Sequence, residues 1–151
     1  MPVSTGFLVA NMAKGPTANL AVRQAISAAI NRAYISNTVY NGYALATNPE
    51  ALILPTYKAV LSPSLTGSSF SAPSAAAAKN TLARAGMSMP LNLTVKMVSG
   101  YTDFLSILQI AQSELKPAGI NLTIDQEPFT TFQADQPGRQ PGDVTPRTRT
   151  P

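Results

Sequence analysis

The most regular hydrophobic pattern of the chain lies between Asn19 and Ile35. Apolar residues recur there at helical spacing, and polar residues fall on the opposite face. The apolar positions are Val22, Ile26, Ala29, Ile30 and Ala33, and the polar ones are Arg23, Gln24, Ser27 and Asn31. Thr17 or Asn19 offers a capping oxygen, and Asn41-Gly42 suits the left-handed residue that often follows a helix. The pattern predicts one amphipathic helix that faces a core.

A strand, a helix and a second strand are predicted between residues 91 and 124. Apolar residues alternate with polar ones along both strands, at Leu91, Leu93, Val95 and Met97 and again at Ile120, Leu122 and Ile124. Between them, residues 102–116 carry apolar side chains at helical spacing, and Pro117 and Gly119 end that helix. Strands joined by a helix of this length lie parallel. The pattern therefore predicts a βαβ unit.

Shorter elements are predicted around this unit. Residues 74–85 form an alanine-rich helix that Ser74 caps and Gly86 ends. Residues 6–11, GFLVAN, suit a short buried strand before the turn Lys14-Gly15-Pro16. The prolines at 49, 55 and 63 exclude long elements, so residues 52–61 are expected to cover the core as a loop and residues 62–74 to form a surface connector.

Composition limits the classes of function. A chain of 151 residues suits one domain, and 44% hydrophobic with 12% charged residues argues against global disorder. The sequence has no cysteine and no histidine, which excludes disulfides, thiol nucleophiles and Ser-His-Asp catalysis. No stretch has the pattern of a signal peptide or approaches the roughly 18 to 20 apolar residues of a membrane helix.

The net charge of +4 is unevenly distributed. Residues 139–151 hold three arginines against Asp143, which accounts for +2, and the remaining +2 is spread over the body. A nucleic-acid site instead needs basic residues clustered on one face of a folded element. The scattered lysines are therefore interpreted as solvated positions, and no nucleic-acid partner is expected.

Particular residues carry a family resemblance. Residues 22–25, VRQA, and residues 29–32, AINR, are followed by Ile35 and Gly42. This succession resembles the VRQA...AIDR...I...G signature of family 5 extracellular solute-binding proteins, the oligopeptide-, dipeptide- and nickel-binding components of bacterial ABC importers. Asn31 stands where the family usually has Asp, so an ion pair made there by the family is in doubt here. Residues 78–86 and 85–132 also resemble the family, although Ser74-Ala75 replaces its usual Asp-Pro.

The resemblance implies an α/β fold: a partial lobe of a periplasmic-binding-protein-like fold, with a βαβ unit and additional packed helices. Residues 1–135 would be the partial lobe, and residues 136–151 a disordered Pro/Arg/Thr-rich tail. The implied function is that of a noncatalytic fragment of an importer's receptor. The full-length parent would capture peptides or similar small solutes outside the cytoplasm and deliver them to an ABC permease. No cofactor and no metal is implied.

The loop after the first predicted strand is the candidate solute-binding site. Ligands in open α/β sheets bind beyond the carboxyl ends of the strands, and the resembled family has its cleft there. Glycine permits close backbone approach, and the neighbouring side chains offer a ring and polar groups. The candidates are Ser99, Gly100, Tyr101 and Asp103. Helix capping by Ser99 or Thr102, with Asp103 favouring the helix dipole, is a competing and favoured explanation for the polar residues.

Other candidate groups are given structural interpretations. Asp125 and Glu127 are expected to be a solvated strand end, and Phe129 and Phe132 to plug the open end of the core. No glycine-rich phosphate loop follows a strand. No catalytic residue is therefore predicted. An enzyme is the third hypothesis, and turnover that is abolished by changing Asp103 or Asp125 would revive it.

Two alternatives remain open at this point. The chain could instead be a small α/β interaction module whose basic tail contacts nucleic acid or an acidic protein. Salt-sensitive binding that needs residues 137–151 would distinguish that module from a solute receptor. An exposed lobe surface also makes a homodimer a reasonable hypothesis.

Overall fold

The computed structural model describes residues 8–44 and 72–134. Its helices are α1 (Leu20–Ala29), α2 (Arg32–Tyr40), α3 (Ala75–Arg84), α4 (Thr102–Leu115) and α5 (Phe129–Ala134). Its strands are β1 (Leu91–Val98) and β2 (Ile120–Glu127), and short 3-10 turns span Pro16–Ala18 and Lys116–Ala118. The predicted loop over residues 52–61, most of the connector and the tail over residues 136–151 lie outside the described residues.

The predicted βαβ unit is confirmed. β1 pairs with β2 in parallel, in a register that runs from Leu91 opposite Ile120 to Val98 opposite Glu127. α4 connects the two strands, and its buried residues Leu108, Ala111 and Leu115 belong to the core. Alternation along the strands places apolar residues on one face of the sheet, and α4 packs against β2.

The rest of the core comes from α1 and α3, which pack against each other. Val22 and Ala25 of α1 and Ala78 and Leu82 of α3 are fully buried. Alanine side chains are short, so they let the two helix backbones approach closely. Ser74 caps α3 as predicted, because its hydroxyl accepts a hydrogen bond of 3.1 Å from the Ala77 amide.

The prediction of one helix over residues 19–35 is wrong, because the structure forms two. Ile30 leaves the helical conformation with ψ 123°, and Asn31 follows with ψ 92°. Asn19 caps α1, as predicted, through a 2.9 Å bond from the Ala21 amide to its side-chain oxygen. Ala33, predicted to face the core, is exposed because the helical face does not continue through the break.

Asn31 explains why the chain breaks where its apolar pattern continues. Its side-chain oxygen accepts a 2.9 Å hydrogen bond from the Tyr34 amide and so caps α2. Its own amide donates to Glu114 Oε2 at 2.9 Å, which ties the break to α4. Asn41 ends α2 in the left-handed conformation, with φ 49°, and Gly42 follows with φ 78°, as the Asn-Gly pair predicts.

The short strand predicted over residues 6–11 is not formed in its described part. Residues 8–11 have no regular structure, and Val9 is 84% exposed. Asn11 instead turns the chain locally, because its side-chain oxygen accepts the Ala13 amide at 3.0 Å. Within residues 8–44 and 72–134, no helix is long and apolar enough to cross a membrane.

Replacing Asn31 tests the helix junction. Asn31→Ala removes the side-chain cap of α2 and should lower the free energy of unfolding by about 1 kcal/mol. Urea denaturation followed by circular dichroism measures the change. Asn37→Ala, the same substitution at an exposed position within α2, is the matched control and should have a much smaller effect. Equal losses in the two variants would contradict the capping role.

Candidate ligand-binding site

The loop predicted to bind solute lies where the two parallel strands end side by side. The Ser99 amide donates a 2.8 Å hydrogen bond to the Glu127 carbonyl, and the Ser99 hydroxyl reaches the same oxygen at 3.2 Å. Gly100 then turns the chain into α4 with φ 95°, a conformation that favours glycine. The backbone therefore fixes the loop at the carboxyl edge of the sheet.

The aromatic residues at this edge are exposed. Tyr101 is 51% and Phe104 41% exposed, and their ring centroids lie 5.8 Å apart with planes tilted by 49°. Phe129 begins α5 just beyond the end of β2 and is 56% exposed. The prediction that Phe129 plugs the core is therefore wrong, because α5 buries none of its residues; Phe132 is only partly buried.

The favoured explanation, in which Ser99 or Thr102 caps α4, is also wrong. Tyr101 occupies the cap position of α4 and makes no side-chain capping bond. Ser99 uses its hydroxyl to join the strand ends instead, and Asp103 alone has the predicted place in the first turn. The polar side chains of the loop are thus not accounted for by capping.

Asp103 is joined to α2 by a contact that the sequence did not indicate. The Tyr40 hydroxyl donates to Asp103 Oδ2 at 3.1 Å. Burial raises the pKa of Tyr40 above its ordinary value, and the hydrogen bond to Asp103 and the negative charge of that carboxylate raise it further. The two residues are 63 positions apart, so no local pattern could have paired them.

Glu127 is not the solvated strand end that was predicted. It is 9% exposed, and its Oε1 lies 2.5 Å from Lys96 Nζ in an ion pair. Its other oxygen, Oε2, is buried and has no hydrogen-bond partner in the part of the chain that the structure describes. α5 packs against β1 at this end of the sheet. Asp125 is only partly buried.

An open groove runs from this edge between α2 and α4. It encloses about 630 Å³ and is lined mostly by polar side chains, among them Tyr34, Thr38, Asp103, Ser106, Gln109 and Glu114. Among residues 8–44 and 72–134, no three acidic, histidine or cysteine side chains come together as metal ligands would. The groove and the loop share Asp103 and therefore form one continuous surface.

The sequence of this chain matches one known protein family. The family described as bacterial extracellular solute-binding proteins, family 5 Middle, matches residues 1–143. The chain belongs to this family. A search of curated proteins gives no match.

Solved structures of solute-binding proteins share the fold. NikA from Brucella suis in complex with Fe(III)-EDTA is 23% identical with a TM-score of 0.66, over 84% of this chain and 27% of that one. The periplasmic oligopeptide-binding protein of Thermotoga maritima is 23% identical with a TM-score of 0.65, over 82% and 26%. NikA from Staphylococcus aureus is 25% identical with a TM-score of 0.61, over 75% and 23%. This chain therefore spans about a quarter of these proteins and has a partial periplasmic-binding-protein-like fold.

The signature residues of this family 5 chain act within the scaffold. Arg23 donates to the carbonyls of Thr17 and Ala18 at 2.8 and 2.9 Å, which fixes the turn before α1. Arg32 donates to the Ser27 carbonyl at 3.2 Å and to its hydroxyl at 3.1 Å, at the end of α1. Both arginines therefore make hydrogen bonds within the scaffold itself.

Glu114 joins this signature to the βαβ unit. Burial raises the pKa of Glu114, while the hydrogen bond from the Asn31 amide and the positive charge of Arg32 oppose that rise. Burial likewise lowers the pKa of Arg32, against the opposing effect of Glu114. Asn31, which lacks the charge of the usual Asp, still caps α2 through its amide oxygen. The junction between α1 and α2 therefore forms although Asn31 carries no charge.

The Tyr40 contact can be tested by titration. Tyr40 should lose its proton above its ordinary pKa of 10.0, because burial and Asp103 disfavour the phenolate. Its contribution to stability is complete below pH 10 and is lost as the pH rises through the folded-state pKa. The difference between wild-type and Tyr40→Phe absorbance at 295 nm isolates this group.

Two further variants are titrated for comparison. Asp103→Asn should move the Tyr40 midpoint toward its ordinary value, since the negative charge is lost while burial remains. Tyr43→Phe, which removes a tyrosine that is 90% exposed, should leave the late ionisation in place. A Tyr40 midpoint at or below 10.0 would contradict the contact.

Proposed function

We propose that this chain forms part of a noncatalytic solute receptor for an ABC importer and that it contributes one wall of the peptide-binding cleft. The carboxyl edge of the sheet is the single feature that most supports this proposal. Ser99 joins the two strand ends there, and the rings and carboxylate that follow remain at the surface. In open α/β sheets this is the edge at which ligands bind.

The proposed site comprises Ser99, Gly100, Tyr101 and Asp103. Gly100 allows a solute backbone to approach closely, and Tyr101 offers an exposed ring and hydroxyl. Asp103 accepts one hydrogen bond from Tyr40 at its Oδ2 atom, so its carboxylate is held in place at the end of the groove. A site held by backbone and helix contacts loses little conformational entropy on binding.

In this proposal the solute is bound without any covalent bond being formed or broken. The parent receptor would close two lobes around the solute and present it to a membrane permease outside the cytoplasm. Solute-binding proteins of this family and fold are generally not enzymes. The homodimer remains a hypothesis beside this proposal.

The isolated chain should bind weakly. It spans about a quarter of the solved receptors, and a cleft with one wall buries only part of a ligand. Weak contact still reports the position of the site, because amide chemical shifts respond to millimolar binding.

A peptide titration tests the proposal. In a two-dimensional amide NMR spectrum, a mixture of di- to pentapeptides should shift the signals of residues 99–103 and leave those of α3 unchanged. Asp103→Asn should reduce these shifts severalfold. Asp125→Asn makes the same change on β2, outside the proposed site, and is the matched control that should leave the shifts unchanged. A dispersed spectrum that no peptide changes would contradict a solute contact at this edge.

A further inference from the structure

The exposed rings at the carboxyl edge indicate which solutes the site prefers. We propose that Tyr101 and Phe104, with Phe129 at the same edge, form a subsite for an uncharged aromatic side chain of a peptide. This inference rests on the proposed function and adds a side-chain preference to it. It is drawn from the exposure, geometry and charge of residues at the ends of β1 and β2.

The fold does not need these rings for its core. The largest fully buried side chains are Leu82, Leu115, Ile120 and Val22, which come from the helices and the start of β2. Aromatic side chains usually contribute most when they are buried, so three of them exposed at one edge mark a surface suited to a ligand. Their position matches the edge at which α/β sheets bind ligands.

Tyr101 and Phe104 form an aromatic pair at the surface. Tyr101 and Phe104 are three positions apart at the start of α4, so their side chains lie on one side of the helix. Their 5.8 Å separation and 49° tilt fall within the range in which aromatic rings attract one another. Ser99 fixes the start of this turn to the end of β2, so the pair is held in position before any solute arrives.

The charges at the same edge restrict the solute further. In the part of the chain that the structure describes, Asp103 carries a carboxylate between the two rings in sequence. Lys96 is already paired with Glu127, and the arginines of α1 and α2 donate to backbone carbonyls away from this edge. An acidic side chain or an anionic metal chelate is therefore repelled, whereas a neutral aromatic side chain is not.

Matched tripeptides test the preference. The chain is titrated with Ala-Phe-Ala, Ala-Leu-Ala and Ala-Glu-Ala, and dissociation constants are obtained from the shifts of residues 99–104. Ala-Phe-Ala should bind about fivefold more tightly than Ala-Leu-Ala, as an aromatic pair contributes beyond its area, and Ala-Glu-Ala should bind most weakly. Equal binding of the phenylalanine and leucine peptides would overturn the inference.

Substitutions of the two rings test whether they cause the preference for the phenylalanine peptide. Phe104→Leu keeps an apolar side chain but removes the ring, so it should abolish the difference between the phenylalanine and leucine peptides. Tyr101→Leu should reduce that difference independently. Tyr43→Leu, at an exposed tyrosine just after α2, is the control and should leave it unchanged.

The outcomes separate this inference from the proposed function. Peptides that bind with no side-chain preference, or a preference that survives in both ring variants, contradict the aromatic subsite alone. A folded chain whose loop signals respond to none of the three peptides contradicts the proposed function, and the aromatic subsite fails with it.

Discussion

The parallel pairing of β1 with β2 is the constraint on which the rest of the structure depends. Its register brings Ser99 beside Glu127, so that both strands end at one edge and α4 and α5 begin there. The same register aligns the apolar side chains of both strands on one face, and they share a core with α4, α1 and α3. A shift of one residue would turn the apolar side chains away from α4 and move the candidate site as well.

Helices α1 and α2 are attached to this unit by polar contacts at their junction. Glu114 accepts the Asn31 amide, and Arg32 closes the end of α1 by bonding to Ser27. These contacts are partly buried, where an unpaired group costs more than it does in water. The signature by which the chain resembles its family is therefore chiefly a folding signature, and the surface that meets solvent at the carboxyl edge is composed of other residues.

The sequence predicted correctly those elements that depend only on neighbouring residues, such as strands with alternating polarity and helices with a side-chain cap. Alternation identified β1 and β2, while Ser74 and Asn19 identified helix starts because a cap acts within one turn. Asn31 was placed inside one helix because it continues the helical spacing, although it caps a second helix. Its amide donates to Glu114 on α4, a contact that the local pattern does not contain. The burial of Glu127 and the Tyr40 contact with Asp103 depend on residues distant in sequence, so no local pattern contained them.

Intermolecular nuclear Overhauser effects test most directly whether the carboxyl edge of the sheet contacts the solute. A tripeptide with an isotope-labelled phenylalanine is added to the chain, and proton pairs between peptide and protein are recorded. We expect contacts from the labelled ring to Tyr101 and Phe104. Contacts confined to the middle of the α2–α4 groove, at Thr38 and Gln109, would contradict it.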